Sequence, residues 1–151
     1  MAQTTGGISM VANYVAISSN GSSFTDVSGE ANAIESPELA RAAGELFTFD
    51  GDTPIVKAGK LAAVDVTVKL VYSELTASAF ETLRGYLQTA GGQATYVRWA
   101  PKGNTTGNFQ FTTGASVITK MNLPGGEAES GEPVAVSFTV HAPSVTKAVV
   151  A

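Results

Sequence analysis

The strictest constraint on this chain is an alternation nine residues long. Residues 64 to 72 read VDVTVKLVY, with Val64, Val66, Val68, Leu70 and Tyr72 on one parity and Asp65, Thr67, Lys69 and Val71 on the other. Successive strand side chains point to opposite faces of a sheet, so one face of this strand packs and the other meets water. A strand sealed between two layers of helices is apolar on both faces instead. The segment therefore belongs to a sheet with one wet side, and the question is what that side lines.

The rest of the chain reads as further strands with one helix among them. Residues 11 to 18 (VANYVAIS) and about 22 to 28 flank Asn20-Gly21, a dipeptide suited to a tight type I′ hairpin. Residues 29 to 44 (GEANAIESPELARAAG) show no sustained period and read as a long loop or a short helical excursion. ELFTF, 45 to 49, is a strand closing on Asp50-Gly51, and after TPIVKAGK a long strand runs from about 61 to 72. In SELTASAFETLRGYLQTAGG, Ser78 followed by Glu81 fits a capping box, Phe80, Leu83 and Leu87 share a helical face, and Gly91-Gly92 supplies the stop. Strands resume at 94 to 99, 107 to 113, 116 to 123 and 133 to 142, with Pro/Gly turns at 101 to 103 and 124 to 126. The last of these, PVAVSFTVHA, alternates too, placing Ala135, Ser137, Thr139 and His141 on its polar parity.

With a single helix among so many strands, a doubly wound parallel sheet is excluded. The expected class is mostly β (α+β): an antiparallel β-sandwich with one flanking α-helix. One domain spans 11 to 143, and residues 1 to 10 and 144 to 151 read as N- and C-terminal arms outside the core.

Composition narrows the functional classes. The 151 residues suffice for one core, and the absence of cysteine excludes disulfides, thiolate metal sites and a cysteine nucleophile. Charged residues make up 15%, against about 25% in an average soluble domain. Either part of the surface is buried in an oligomer or the sandwich carries a Ser/Thr-rich exterior. Nine Lys and Arg against thirteen Asp and Glu, with no basic run, disfavour tight binding to phosphate. No window approaches the roughly 20 apolar residues of a membrane span, and MAQTTGGISM has no basic n-region or apolar h-region, so the expectation is a cytosolic product with no membrane partner.

Catalytic and ligand signals are weak throughout. His141 is the only histidine and lies on a polar strand parity with no serine or aspartate signalled as its partner in a triad. Asp50 and Asp52 surround Gly51 as in a turn, without the later ligands of a calcium loop. Glu127, Glu129 and Glu132 read as a solvated acidic rim, and neither glycine pair has the context of a phosphate cradle. Tyr96, Arg98 and Trp99 would be the platform of a carbohydrate-binding sandwich, an alternative carried alongside a capsid decoration protein. No catalytic, cofactor-binding or metal-ligating residue is assigned, and no enzyme activity or cofactor is expected.

Three segments together carry a family likeness: residues 29 to 60, AFETLRGYL at 79 to 87, and YVRWAPKGNTTGNFQFTTGASVITKMNLPGGEAESGEPVAVSFTVHAP at 96 to 143. In their order and flavour they resemble the tail tube (major tail) proteins of long, non-contractile-tailed bacteriophages. The resemblance covers about residues 11 to 143 and implies hexameric rings stacked into a hollow tube. Its partners would be the chain itself, a tape-measure protein and tail-tip or terminator proteins; DNA would pass through without specific binding. It implies a place in the virion tail after assembly in the host bacterial cytoplasm, and tail terminators and injection-tube proteins share the same fold. On this reading Asp65, Thr67, Lys69, Ser137 and Thr139 face a mildly acidic lumen, while Phe80, Leu83 and Leu87 pack the helix on the core.

Overall fold

The computed structural model describes residues 2–129 and 131–151. The first element is a single 3-10 turn, Met10–Ala12, capped by the Ser9 hydroxyl, which accepts from the Val11 N–H. Residues 2–9 before it are exposed and form no strand.

Two antiparallel sheets face one another. The first holds β1 (Tyr14–Ser18), β2 (Thr25–Asp26), β7 (Tyr96–Ala100), β8 (Phe109–Thr113) and β11 (Val145–Val149), in the order β11-β8-β7-β1-β2. The second holds β3 (Ala31–Ile34), β6 (Val64–Val71), β9 (Val117–Asn122) and β10 (Ala135–Ala142), in the order β3-β6-β10-β9. A separate ribbon pairs β4 (Arg41–Leu46) with β5 (Ile55–Leu61).

The alternation read at 64 to 71 is realised as strict in-and-out burial along β6, and β10 repeats it. Val64, Val66, Val68 and Leu70, with Val136, Phe138, Val140 and Ala142, bury one face of the second sheet. Val15, Ile17, Val97 and Trp99 meet them from the first sheet. Trp99 stacks on Phe111 with ring centroids 5.6 Å apart. This buried indole is part of the core, so it offers no platform for a sugar.

The chain crosses between the two sheets four times, and two of the crossings, β8 to β9 and β10 to β11, lie side by side. Gly114 N–H donates to the Ser144 carbonyl at 2.9 Å, and a Cβ on Gly114 would stand 2.9 Å from the Ser144 hydroxyl and 3.1 Å from Pro143 Cγ, so a larger residue there would have to displace both side chains. Below it Ser116 donates to the Thr95 carbonyl at 2.6 Å, and Thr113 accepts from the Val97 N–H at 2.9 Å. The Thr113 hydroxyl thus gives a β7 N–H its partner, and the Ser116 hydroxyl adds a second donor to a carbonyl that the Ser116 N–H already reaches.

Helix α1 (Ala79–Gln88) closes one side of the sandwich. Ser78 caps it, accepting from the Glu81 N–H, but the reciprocal half of the box is absent: Ser78 N–H donates to the Leu75 carbonyl. Glu30, from the loop after β2, instead accepts from the Ala79 N–H at 2.9 Å. The Glu81 carboxylate turns to Arg84, whose hydrogen bond holds its pKa below the ordinary value. That interaction is present above the usual carboxylate range and is lost as the pH falls through the lowered value. Phe80 lies edge-on to Tyr72 at 5.2 Å.

Five sequence expectations are corrected here. Leu87, expected in the core with Phe80 and Leu83, is 37% exposed, and Ala79 and Tyr86 do the packing instead. The Asn20-Gly21 hairpin is not type I′: only Gly21 takes positive φ, Asn20 Oδ1 accepts from Ser22 and Ser23 N–H, and β2 is short. Residues 29 to 44 contain β3 and the start of β4, and the strand expected from 61 to 72 is divided between β5 and β6. Residues 144 to 151 are not a free arm: β11 pairs along its whole length with β8, from Val145↔Thr113 to Val149↔Phe109, and Val150 is buried.

Leu83→Ala, at a fully buried position, is expected to lower unfolding free energy by about 2–5 kcal/mol, with Leu87→Ala well under half of that, in paired urea denaturation curves. Deleting residues 145–151 strips a strand from the first sheet, so it is expected to lower the melting temperature of the subunit itself as well as to expose the β8 edge.

Candidate assembly surfaces

The outward face of the second sheet carries the residues expected to line a lumen, and the ladder between β6 and β10 brings them into cross-strand pairs. His141 faces Asp65, Thr139 faces Thr67, and Ser137 faces Lys69. Each has a polar partner: His141 Nδ1 lies 2.7 Å from Asp65 Oδ1, the Thr67 and Thr139 hydroxyls are 2.8 Å apart, and Asn122 Nδ2 donates to Ser137 Oγ at 2.9 Å. Lys69 Nζ stands 3.5 Å from Glu35 Oε1, placed there because the chain after β3 continues beside β6, with Glu35 N–H donating to the Thr67 carbonyl.

Electrostatically this face is balanced rather than mildly acidic. Asp65 and Glu35 are offset by Lys69 and by Lys120, which lies opposite Thr139 on β9. The acidity expected from net charge alone is spent elsewhere on the surface. All these groups are solvated, so their pairs contribute little to stability.

The sheet ends in two edge strands, β3 and β9. Every neighbouring pair in β3-β6-β10-β9 is antiparallel, so the four strands alternate in direction and the two edges run opposite ways. Each presents unpaired backbone donors and acceptors, which natural sheets ordinarily blunt or pair.

The second unpartnered feature is the β4–β5 ribbon, which sequence reading did not single out. Its strands are exposed on both faces, and Leu46, Phe47, Phe49, Ile55, Val56 and Leu61 all lie open to solvent. A two-stranded ribbon has marginal stability alone, and this one contributes nothing to the buried core. A signal was present in the sequence: apolar residues crowd both sides of Asp50-Gly51 without the alternation that a half-buried strand would show.

Among the described residues no group of three or more His, Cys, Asp and Glu side chains is placed to hold a metal ion, and no helix is long and apolar enough to cross a membrane. Asp50 and Asp52 sit at the exposed ribbon turn, and Glu127 and Glu129 are exposed in the loop after β9.

Neither a protein-family model nor a curated protein sequence matches the chain. Solved structures do match it in fold. A sheath/tube terminator of an extracellular contractile injection system (PVC) superposes with a TM-score of 0.79 at 11% identity, covering 97% of this chain and 100% of that one. A chain of the PVC sheath–tube complex gives 0.76 at 11% identity, covering 97% and 94%. A chain from the tail of an empty GTA particle, refined with C6 symmetry, gives 0.59 at 10% identity, covering 91% and 95%. The chain thus has the fold of phage-tail-like tube and terminator components, and contractile systems are among those that share it.

Replacing residues 41–61 with a short flexible linker is expected to leave the melting temperature within a few degrees of the parent, since no core residue is removed, while abolishing any higher-order assembly seen by sedimentation.

Proposed function

We propose that the chain is a tail-tube protein: copies join through the edges of the second sheet into closed rings, and the rings stack into a hollow tube that conducts DNA during genome delivery. The observation that carries this reading is the pair of oppositely directed edges on a sheet with one dry and one wet face. Placing β9 of one copy beside β3 of the next continues the antiparallel alternation without a break. Repetition around an axis leaves no edge open, and the face bearing Asp65, Thr67, Lys69, Ser137 and Thr139 becomes the lining.

The ring is taken to hold six copies. Six copies of this sheet supply roughly 24 strands, and at about 4.8 Å each they span a circumference near 115 Å, hence a backbone diameter near 37 Å. Subtracting a side-chain layer of about 5 Å on each side leaves a bore of roughly 27 Å, somewhat wider when the strands tilt. The lining suits passage of a polyanion because its opposite charges balance, Lys69 being engaged by Glu35 and Lys120 offset in net charge by Asp65.

The finer parts of the proposal follow from the same role. Partners are further copies, a tape-measure protein in the bore, and tip and terminator proteins at the ends; the site of action is the virion tail, after assembly in the host bacterial cytoplasm. The tail is of the long, non-contractile kind, so the tube carries no sheath, and recovery of a sheath protein bound along it would replace this part of the reading. The chain is not an enzyme: the His141–Asp65 pair sits on an open, solvated sheet face, with no enclosed site around it.

Electron microscopy of the concentrated protein is expected to show rings or tubes with a central bore, and a strictly monomeric species at every salt and protein concentration would overturn the proposal. Asp65→Arg combined with Thr67→Arg is expected to leave the fold and the tubes intact, since both side chains point away from the core, and to reduce infectivity by slowing genome delivery. Unchanged infectivity would remove these residues from the lining.

A further inference from the structure

Trp99 is buried, but its neighbours of the other parity on β7, Tyr96 and Arg98, face away from the core. The ladders place Ala16 of β1 and Thr112 of β8 on either side of Arg98, and Asp26 of β2 beyond Ala16. Tyr14 shares this outward parity on β1, and Phe24 shares it two residues before Asp26. Tyr14, Phe24, Tyr96, Arg98 and Thr112 are all half-buried. Ala16, at the centre of the group, is fully buried, so the larger side chains around it close over the small one.

Arg98 is held in one orientation from two sides. Its Nε donates to the Thr112 hydroxyl at 3.1 Å, and its Cζ stands 3.7 Å from the centre of the Phe24 ring. Its two terminal nitrogens donate to no described residue, and no described carboxylate pairs with it. Asp26 uses its Oδ1 to accept from the Ser28 N–H and hydroxyl instead. The Tyr14 hydroxyl feels both charges: burial first and Asp26 next raise its pKa, while Arg98 lowers it, so it remains a donor at neutral pH. The Tyr96 ring lies against Gly21, where a Cβ would stand 3.0 Å from ring carbons. A fixed guanidinium with its outer edge unused thus stands between two tyrosines.

We propose that this face binds an acidic saccharide, one whose sugar units carry carboxylates, with Arg98 clamping a carboxylate and Tyr14 and Tyr96 meeting the sugar ring and its hydroxyls. The planar fork of a guanidinium matches the two oxygens of a carboxylate, and a fork already fixed loses little freedom on binding. Each tyrosine offers an apolar ring and a polar tip, the two kinds of surface that a sugar presents. One cation beside Asp26 suits a singly charged group, whereas a run of phosphates takes several clustered cations. The rest of the face favours a carbohydrate over a protein. It bears Gln110, Thr146 and Ala148, while the large apolar side chains that the first sheet exposes, Phe109 and Val149, lie on the opposite parity. A protein partner would need such apolar anchors at the centre of its contact. The inference goes beyond the tube reading and holds for a single subunit. In the proposed tube, whose bore the second sheet lines, this face points outwards in every copy, so that weak sites act together on a polymer.

Calorimetric titration with oligogalacturonate, and with the same oligosaccharide as its methyl ester, tests the clamp directly. The wild-type protein is expected to bind the acid roughly tenfold more tightly than the ester. Arg98→Met, which keeps the apolar stem, is expected to lose about as much, and Thr112→Val, which releases Nε and keeps the charge, to weaken binding several-fold with an unchanged melting curve. Equal affinity for acid and ester, or full binding by Arg98→Met, would overturn the carboxylate clamp. Oligoglutamate bound as tightly as oligogalacturonate would overturn the saccharide in favour of an acidic protein, and no binding of any probe would overturn the site. Binding is read on the subunit and assembly by microscopy, so each of these results leaves the tube reading standing. Wild-type protein that binds the acid but forms neither rings nor tubes would support the site and overturn the tube reading alone.

Discussion

The ladder between β6 and β10 sets both faces of the second sheet at once. Eight consecutive pairs, from Ala142↔Val64 to Ala135↔Val71, fix which residues lie opposite which. Because side chains alternate with a period of two, a slip of one residue would carry Thr67 and Lys69 into the core and Val66 and Val68 into water. The burial of Val64, Val66, Val68 and Leu70 against Val136, Phe138 and Val140 penalises that slip heavily. The polar face thus inherits its order from the apolar one, and the pairing of His141 with Asp65 or Thr139 with Thr67 needs no further device to hold it.

What the subunit core does not resolve is as informative as what it does. The β3 and β9 edges keep unpaired backbone groups, and the β4–β5 ribbon keeps large apolar side chains in water. In an isolated molecule both are hazards, since an open edge accepts any strand and an exposed apolar ribbon accepts any apolar surface. In the proposed tube the β3 and β9 edges meet in neighbouring copies of one ring.

The sequence disclosed the elements that bury a face and concealed those that do not. β6, β10 and α1 were legible because half-burial imprints a period on the residues, 2 for the strands and about 3.6 for the helix. β4 and β5 are solvated on both faces in the subunit, so nothing forces polar and apolar residues to alternate, and residues 29 to 44 looked like a loop. β11 was hidden for a related reason: VTKAV is an edge strand with only Val145 partly covered, and its composition resembles that of a tail. Leu87 shows the opposite failure. Its spacing from Phe80 and Leu83 is correct for the packed face, but periodicity does not report how far along the helix the packed contact extends. Of the residues on the wet face, the sequence showed the parity and not the cross-strand pairing, which depends on strand order.

That pairing decides the electrostatics of the wet face. Net charge alone pointed to an acidic lining that repels phosphate, whereas the geometry places Glu35 against Lys69 and sets Lys120 on the same face. A balanced surface serves a conduit better than an acidic one: a repulsive lining would raise the free energy of a polyanion throughout the bore, and an attractive one would hold it at discrete points. Exposed pairs of this kind add little to folding stability, so their composition is nearly independent of the core behind them. The charge of this face can therefore change by substitution at Asp65, Lys69 or Lys120 while the valines and leucine on the opposite parity keep the sheet in register.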